Sequence, residues 1–179
     1  MRKGQAERLL PLLEELLSEA ALGWEDLALI GVGIGPGNFT GVRIAVSTAR
    51  GLALGTGVQA VGISTFEALA FDLKKPVAAC VSGMRESVYV QIVGEEDISK
   101  PVNLQCDEVP GHIGGSVNYV VGANAHEIAA ACGLNAVEPN YTTAEAIGRA
   151  AWQFHTSRTH RPAPLYVRPP DAKPARLTK

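Results

Sequence analysis

The chain has 179 residues, of which 46% are hydrophobic and 19% are charged, and its formal net charge at pH 7 is −2. This composition predicts one globular domain, with room for two subdomains, that buries a core. The near-neutral charge argues against a broad nucleic-acid surface. The sequence has no apolar run of about 18 residues, so it predicts no membrane span. The basic start Met1–Lys3 is soon followed by glutamates, which is not the pattern of a signal peptide.

The first predicted element is a helix from about Gly4 to Ala21. Its leucines and alanines form an apolar arc that is wider than the single stripe that one core requires. Two interpretations follow. The helix is either buried within one core, or it packs one edge on a sheet and the other edge on a second protein.

The stretch Gly31–Gly57 combines the end of an apolar strand, a glycine-rich loop and a helix of small residues. The short apolar run Leu27–Ile34 predicts a buried strand. Asn38 or Thr40 is predicted to cap the helix that follows. We name the glycine loop by its residues, which are Gly33, Gly35, Gly37, Asn38, Thr40 and Gly41.

The glycine loop has two interpretations. A strand that leads through glycines into a helix is the layout of a phosphate-binding turn. However, no Gly-Lys-Ser/Thr follows the loop, and its glycines do not match the dinucleotide pattern. A tight strand-to-helix turn without a ligand is the alternative.

The helix after the glycine loop has two apolar or small faces. One face repeats at helical spacing from Val42 and is predicted to lie on the sheet. The second face carries Ile44, Thr48, Gly51 and Gly55. A helix that packs on a sheet needs only one apolar stripe, so the second face predicts a second packing partner. The small residues of this face would let the partner's backbone approach the helix closely.

The remaining pattern alternates strands and helices, and then changes near Pro76. A strand at 58–63 and a helix capped by Ser64 or Thr65 predict parallel strands with right-handed crossovers. A turn at Gly83–Glu86, with an Arg85–Glu86 salt bridge, joins two strands into a predicted hairpin. The later predicted elements are strands at 77–82, 87–93, 102–106 and 118–122, a loop at 110–115, and helices at 126–132 and from Thr142 or Thr143 to His155.

Residues suited to catalysis are scattered along the chain. No two histidines have the helical spacing of a metal pair, and the cysteines lack CxxC spacing, which suits a reducing cytoplasm. Neither Ser47 nor Ser82 has a neighbouring histidine base. We therefore predict no catalytic residue, no cofactor and no metal site. The histidines are His112, His126, His155 and His160, and the cysteines are Cys80, Cys106 and Cys132.

One long segment carries a family resemblance. GIGPGNFTGVRIAVSTARGLA resembles the TsaB (YeaZ-like) signature, which usually reads GxGPGSFTGxRxGxxxAxGLA. Four shorter segments agree with the family in chain order: QAERLLP from Gln5, GISTFEALA from Gly62, RESVY from Arg85 and PLYVRPPDA from Pro164.

The resemblance implies an α/β fold of the actin-like class (acetate kinase, sugar kinase, Hsp70). It implies a non-catalytic, cytoplasmic subunit of the complex that forms threonylcarbamoyladenosine on tRNA. The implied partners are TsaD-like and TsaE-like proteins or a second copy of this chain. The chain is expected to reach tRNA only through the complex. A nucleotide-dependent transferase, a peptidase of the same superfamily and a non-functional fragment are the alternatives. The partner interface implied by the family comprises Leu9, Leu13, Leu16, Leu17, Ile44, Thr48 and Gly51.

The resemblance also implies boundaries and departures. The domain is expected at 1–157, with subdomains 1–75 and 76–157. A proline-rich basic tail follows at 158–179 and is expected to dock around Leu165–Val167. The cations of the tail are either solvated or in contact with tRNA phosphates. Family members open with strands and an Asp-Thr-Ser turn before the helix that starts here near Gln5. Gln5 replaces the family's histidine, and Asn38 its serine. The sequence-based expectation is a late start codon or a truncation, with loss of nucleotide binding.

Overall fold

The computed structural model describes residues 5–95, 98–115 and 117–167. Within these ranges, no helix combines the length and the apolarity that crossing a bilayer requires. The helices are α1 (Gln5–Glu19), α2 (Phe39–Thr56), α3 (Thr65–Leu69), α4 (Val109–His112), α5 (Ala125–Cys132) and α6 (Thr143–Phe154). The strands are β1 (Leu29–Gly33), β2 (Gln59–Ile63), β3 (Val77–Ser82), β4 (Ser87–Val93), β5 (Val102–Gln105), β6 (Tyr119–Gly122) and β7 (Asn135–Val137).

The first sheet consists of β1 and β2, which run parallel with Ile30 opposite Ala60. Helix α2 connects them, so the predicted strand–helix–strand unit is confirmed. One face of the sheet packs on α2 through Val32 and Val46, and the other face packs on α6 through Ile63 and other side chains. The unit is therefore a sheet between two helices, and both of its faces are covered.

Helix α6 approaches β1 closely because two strand residues on that face have no side chain. A Cβ placed on Gly31 would lie 2.9 Å from the Ala151 Cβ and 3.1 Å from the Ile147 carbonyl oxygen. On Gly33, a Cβ would lie 3.1 Å from Cδ1 of Ile147. The glycines of β1 thus set how near α6 lies to the sheet.

The second sheet has five strands in the order β5-β4-β3-β6-β7. Strands β3 and β4 form the predicted antiparallel hairpin, and β6 and β7 continue the sheet in parallel. Cys80, Val90 and Val120 pack on one face with Ile128 of α5. The opposite face packs on α3.

Helix α3 lies between the two sheets. Its Phe66 is fully buried against the second sheet, and its Ala68 packs in the cluster of β2 and α6. Helix α6 lies on the first sheet, although the sequence-based boundary assigned 143–154 to the second subdomain. The boundary between subdomains at 75/76 stays a prediction.

Three local predictions differ from the structure. The predicted loop at 110–115 begins inside α4, which has proline in its first turn, a position that a helix accepts. Strand β7 was not predicted because three residues carry too little alternation to recognise. Arg85 and Glu86 form no salt bridge. Both have positive φ, 53° and 63°, and lie at the tip of the hairpin, where such angles suit the twist of the strands.

Candidate protein-interaction face

Helix α1 carries six leucines, yet none of residues 6–19 is buried. Leu9, Leu13 and Leu17 are half-buried, whereas Leu16 is 52% exposed and Leu10 is 43% exposed. No residue of α1 belongs to any of the hydrophobic clusters of the described residues. The first interpretation of the sequence, a helix buried within one core, is therefore wrong.

Helix α2 contacts α1. Val46 and Ala49 of α2 are buried on the first sheet, whereas Ile44 and Thr48 are half-buried. Gly51 is exposed, and a Cβ placed there would meet no heavy atom within 4 Å. Helices α1 and α2 are thus neighbours, and the second face of α2 is less buried than its sheet face. We call the α1–α2 face the surface formed by Leu9, Leu13, Leu16, Leu17, Ile44, Thr48 and Gly51.

Acidic side chains border the α1–α2 face. Glu7, Glu14 and Glu19 are exposed on α1, and Glu15 forms a 2.6 Å salt bridge with Arg8. The hydrogen bonds from Arg8 lower the pKa of Glu15. The α1 side of the face therefore carries four glutamates and one arginine.

The glycine loop uses its polar groups inside the fold. The Asn38 side-chain oxygen accepts from the Gly41 amide at 2.8 Å, so Asn38 caps α2. Gly35 adopts φ +92°, which a glycine tolerates best. The Gly35 carbonyl accepts from the Thr65 amide, and the Pro36 carbonyl from the Thr65 hydroxyl at 2.7 Å. These bonds tie the loop to the start of α3.

The other members of the glycine loop differ in their surroundings. Gly33 lies under Ile147 of α6, whereas Gly37 and Thr40 are exposed. Thr40 does not cap α2, because the cap lies at Asn38.

An aromatic cluster beside the glycine loop was missed by the sequence-based reasoning. The Arg43 guanidinium carbon lies 3.8 Å from the centre of the Phe39 ring, and its Nε donates to the Tyr166 hydroxyl at 2.9 Å. Phe39 is 54% exposed and Tyr166 is 50% exposed. Phe39 and Arg43 are one helical turn apart, a spacing from which their contact can be predicted. Tyr166 lies 123 residues from Arg43, so its contact cannot be predicted from spacing.

Comparisons with known proteins identify the family. The family model described as "TsaD: tRNA N6-adenosine threonylcarbamoyltransferase" matches residues 2–130. An uncharacterized protein of Mycobacterium bovis is 32% identical over 178 residues, which cover 96% of this chain and 79% of that protein. The Haemophilus influenzae protein named "tRNA threonylcarbamoyladenosine biosynthesis protein TsaB" is 35% identical over 101 residues, 53% of this chain and 43% of that protein.

The chain belongs to the TsaB (YeaZ-like) family. The structure of YeaZ from Pseudomonas aeruginosa matches with a TM-score of 0.68 and 22% identity, over 91% of this chain and 86% of that one. This match confirms the predicted actin-like α/β fold. The match to the Haemophilus influenzae protein spans less than half of that protein's length.

In this TsaB-family chain, the segment after α6 is docked at more points than the sequence predicted. Arg158 donates to the Gly62 carbonyl at 2.7 Å and pairs with Glu67. The amide of Leu165 donates to the Ile34 carbonyl at 2.8 Å. Leu165 and Val167 pack on the second sheet, as expected for the predicted docking point. The cations Arg168, Lys173, Arg176 and Lys179 of the predicted tail lie outside the described residues.

In this TsaB-family structure, the three cysteines pack in one hydrophobic cluster on the second sheet, whereas the histidines lie on α4, on α5 and in the segment after α6. Of the histidines, His112, His126 and His160 are exposed and His155 is half-buried. No three histidine, cysteine or acidic side chains of the described residues gather as metal ligands would. Burial raises the pKa of the Cys80 thiol to about 12, and the two half-buried thiols also have raised pKa values because of burial. The thiolate form, which is the reactive one, is therefore disfavoured at neutral pH.

Proposed function

We propose that this chain is a non-catalytic scaffold subunit in the formation of threonylcarbamoyladenosine on tRNA, and that it binds its partner through the α1–α2 face. The proposed partner is a TsaD-like transferase, with a TsaE-like ATPase in the same complex. A second copy of this chain is the alternative occupant. The complex would act in the cytoplasm and reach tRNA mainly through its other subunits.

The observation that carries this proposal is the state of α1. A helix with six leucines and no buried residue among 6–19 is not explained by the core of this chain. Contiguous apolar surface of this kind marks interaction sites in folded proteins. The adjoining Thr48 and Gly51 are small, so a partner helix can approach α2 closely.

The rim of the face indicates the chemistry of the partner. Interfaces combine an apolar centre with a polar rim, and complementary charge steers the encounter and sets its orientation. Because the rim on α1 is acidic, the partner surface should present apolar side chains that are surrounded by lysine or arginine. Neutralising Glu14 and Glu19 should slow association more than it speeds dissociation.

The test is the Thr48→Arg variant. Overpacking at a close helix crossing costs about 1–3 kcal/mol, and an unpaired buried charge adds to this cost. Thr48→Arg should therefore lose co-purification with a TsaD-like protein, or self-pairing in light scattering, while the isolated chain keeps its circular dichroism spectrum. The matched control is Ala130→Arg, which adds the same side chain at an exposed site of α5.

Two results would contradict the proposal in different ways. Normal co-purification of Thr48→Arg with a TsaD-like protein would show that the α1–α2 face is not the interface. If Thr48→Arg unfolds while Ala130→Arg stays folded, Thr48 belongs to the core of the chain. The second face of α2 would then not be an interface.

A further inference from the structure

We propose that the last residues of this chain bind back onto the acidic α1 side of the α1–α2 face and compete there with the partner. We call residues 168–179 the C-terminal segment; they lie outside the described residues. Three features support the contact: the place where the docked chain ends, the charges on both sides, and the spacing of those charges. Only the identity of the displaced partner rests on the proposed function.

The chain is fastened to α2 immediately before the C-terminal segment begins. The Tyr166 hydroxyl accepts from Nε of Arg43 at 2.9 Å, and the Tyr166 and Phe39 ring centres lie 5.7 Å apart. Phe39 and Arg43 belong to the first two turns of α2, and α2 contacts α1. The C-terminal segment therefore starts next to one end of α2.

The C-terminal segment is long enough to reach any part of the α1–α2 face. Helix α2 has 18 residues and α1 has 15, which correspond to lengths of about 27 Å and about 22 Å. A chain of the length 168–179 spans up to about 40 Å when it is extended. Its prolines, Pro169, Pro170 and Pro174, favour such an extended chain. The reach thus exceeds the length of either helix, whichever way the segment runs.

The C-terminal segment and α1 carry opposite charges. The segment contains four lysine or arginine residues and one acidic residue, Asp171. Helix α1 contains four glutamates, of which Glu15 alone forms a salt bridge within the described part of the chain, with Arg8. A single exposed ion pair is weak, but a tethered segment has an effective concentration on the order of millimolar. A few such pairs therefore suffice to populate the contact.

One side of α1 presents an apolar residue between two carboxylates. Glu7, Leu10 and Glu14 follow one another at spacings of three and four, so they lie in one row along the helix. Leu10 is 43% exposed, and both glutamates are exposed. The two glutamates are about 10 Å apart along the helix axis. A ligand that fits this row needs two cations at about that separation, with an apolar group between them.

The sequence of the C-terminal segment meets this requirement. Lys173, Arg176 and Lys179 recur at every third residue. A polyproline II chain has three residues per turn and rises 3.1 Å per residue, so these cations would share one side at intervals of about 9 Å. Between the first two lies Pro174, and Leu177 lies between the second two. Two neighbouring cations can thus reach both glutamates of the row while an apolar residue covers Leu10.

The C-terminal segment has the chemistry that the face requires of a partner, which is cations beside apolar side chains. While it is bound, the partner cannot use the same surface. The apparent affinity for the partner is then reduced by the fraction of chains whose face is free. The segment is therefore an autoinhibitory element of the α1–α2 face.

The first test needs no partner and measures hydrogen–deuterium exchange of α1 in the full chain at low salt. None of residues 6–19 is buried, so the exchange of α1 depends on what covers it. A charge-reversed segment should let α1 exchange at least about threefold faster than in wild type. Adding Glu7→Lys/Glu14→Lys should restore slow exchange, because the charges are then swapped. The reversed segment is Lys173→Glu/Arg176→Glu/Lys179→Glu.

The matched control is Lys74→Glu/Arg85→Glu/Lys100→Glu, which gives the same net charge by changing residues outside α1, α2 and the C-terminal segment. Its α1 should exchange at the wild-type rate. The second test titrates each chain with a TsaD-like protein. The reversed segment should raise the affinity about five- to tenfold, whereas the control should change it less than about twofold.

Equal exchange of α1 in wild type and in the charge-reversed chain would overturn the proposal, because the segment would then lie in solvent or on another surface. A charge swap that does not restore slow exchange would also overturn it, since the two glutamates of α1 would not be the binding site. A contact with no gain in partner affinity would overturn the competition. If no TsaD-like protein binds any of these chains, the proposed function fails, and the exchange result alone decides the contact.

Discussion

The Glu67 carboxylate joins three parts of the chain. It accepts from the Ser64 amide at 2.8 Å, which completes the capping box of α3, and it pairs with Arg158, which also binds the Gly62 carbonyl of β2. Burial raises the pKa of Glu67, but the hydrogen bonds from Arg158 and Ser64 outweigh it, so that the pKa is lower than usual. The charged form is therefore the one that stabilises the fold.

We expect Glu67→Gln to lower the free energy of unfolding by about 2 kcal/mol at pH 7, because Arg158 keeps a hydrogen bond but loses its counter-charge in a partly buried site. The glutamine oxygen still reaches the Ser64 amide, so the start of α3 is preserved. Chemical denaturation of both chains measures the difference. The matched control Glu145→Gln removes an exposed pair with Arg149 and should cost less than about 0.5 kcal/mol.

The same pair predicts a pH dependence. The pKa of Glu67 is lower in the folded chain than the usual value of 4.5 in the unfolded chain. Its contribution is thus present above pH 4.5 and is lost as the pH falls through the folded pKa. The stability difference between wild type and Glu67→Gln should shrink on acidification below pH 4.5. A difference that stays constant down to the acid transition would show that the charge of Glu67 contributes nothing.

At the scale of elements, the contact of α6 with β1 depends on Gly31. We expect Gly31→Ala to destabilise the chain by about 1–3 kcal/mol, because the new methyl group would overlap Ala151 and the Ile147 carbonyl. Gly148→Ala is the control within α6 itself. It has nothing within 4 Å of the added Cβ and should stabilise by about 0.5–1 kcal/mol through helix propensity. Thermal melts that rank the two variants the other way would contradict the packing described here.

The glycine loop leads to a prediction about nucleotide. Its carbonyls bind Thr65, the Gly41 amide is taken by Asn38, and no lysine follows in the position that a P-loop uses. We expect no tight binding of ATP by the isolated chain in calorimetry. A micromolar dissociation constant for ATP would overturn this expectation and favour the alternative of a nucleotide-dependent transferase.

Sequence patterns predicted the elements better than their contacts. Strands β3 and β4 were predicted with the bounds that the structure shows, because apolar runs there are bounded by a clear turn. Helix α4 differs from the predicted loop, because glycine and proline, which its sequence contains, usually break helices. The contacts of the candidate surfaces could not be predicted, since they join residues distant in sequence. Arg158 lies 91 residues from Glu67. Spacing carries no signal at that range.

At the scale of the whole molecule, the first sheet has an open edge. Strand β1 pairs with β2 alone among the described strands. The Ile34 amide donates to the Ile63 carbonyl of β2. Successive residues of a strand direct their backbone groups to opposite sides, so the N–H and C=O groups of Gly31 and Gly33 point away from β2. Gly31 is exposed even though α6 covers one of its sides. Unpaired edges of this kind pair with other chains.

We therefore expect the 179-residue chain to self-associate as its concentration rises, measured by light scattering on a sizing column. Association through this edge should persist in Thr48→Arg, whereas association through the α1–α2 face should not. The two modes are separable for this reason. A chain that stays monomeric over about a hundredfold range of concentration, with a sharp reversible melt, would contradict the prediction.

The position of the segment after α6 has a consequence for synthesis on the ribosome. Helix α6 and Arg158, which cover and fasten strands β1 and β2, are translated well after these strands. Domains usually form as their chain emerges, N-terminal part first. Here the first sheet must wait for about 90 further residues before its second face is covered, since long-range contacts form only after the intervening chain exists. During that interval the nascent sheet has one helix-covered face and one bare face. A chaperone or the binding partner that occupies the nascent chain at this stage would determine how much of it reaches the folded state.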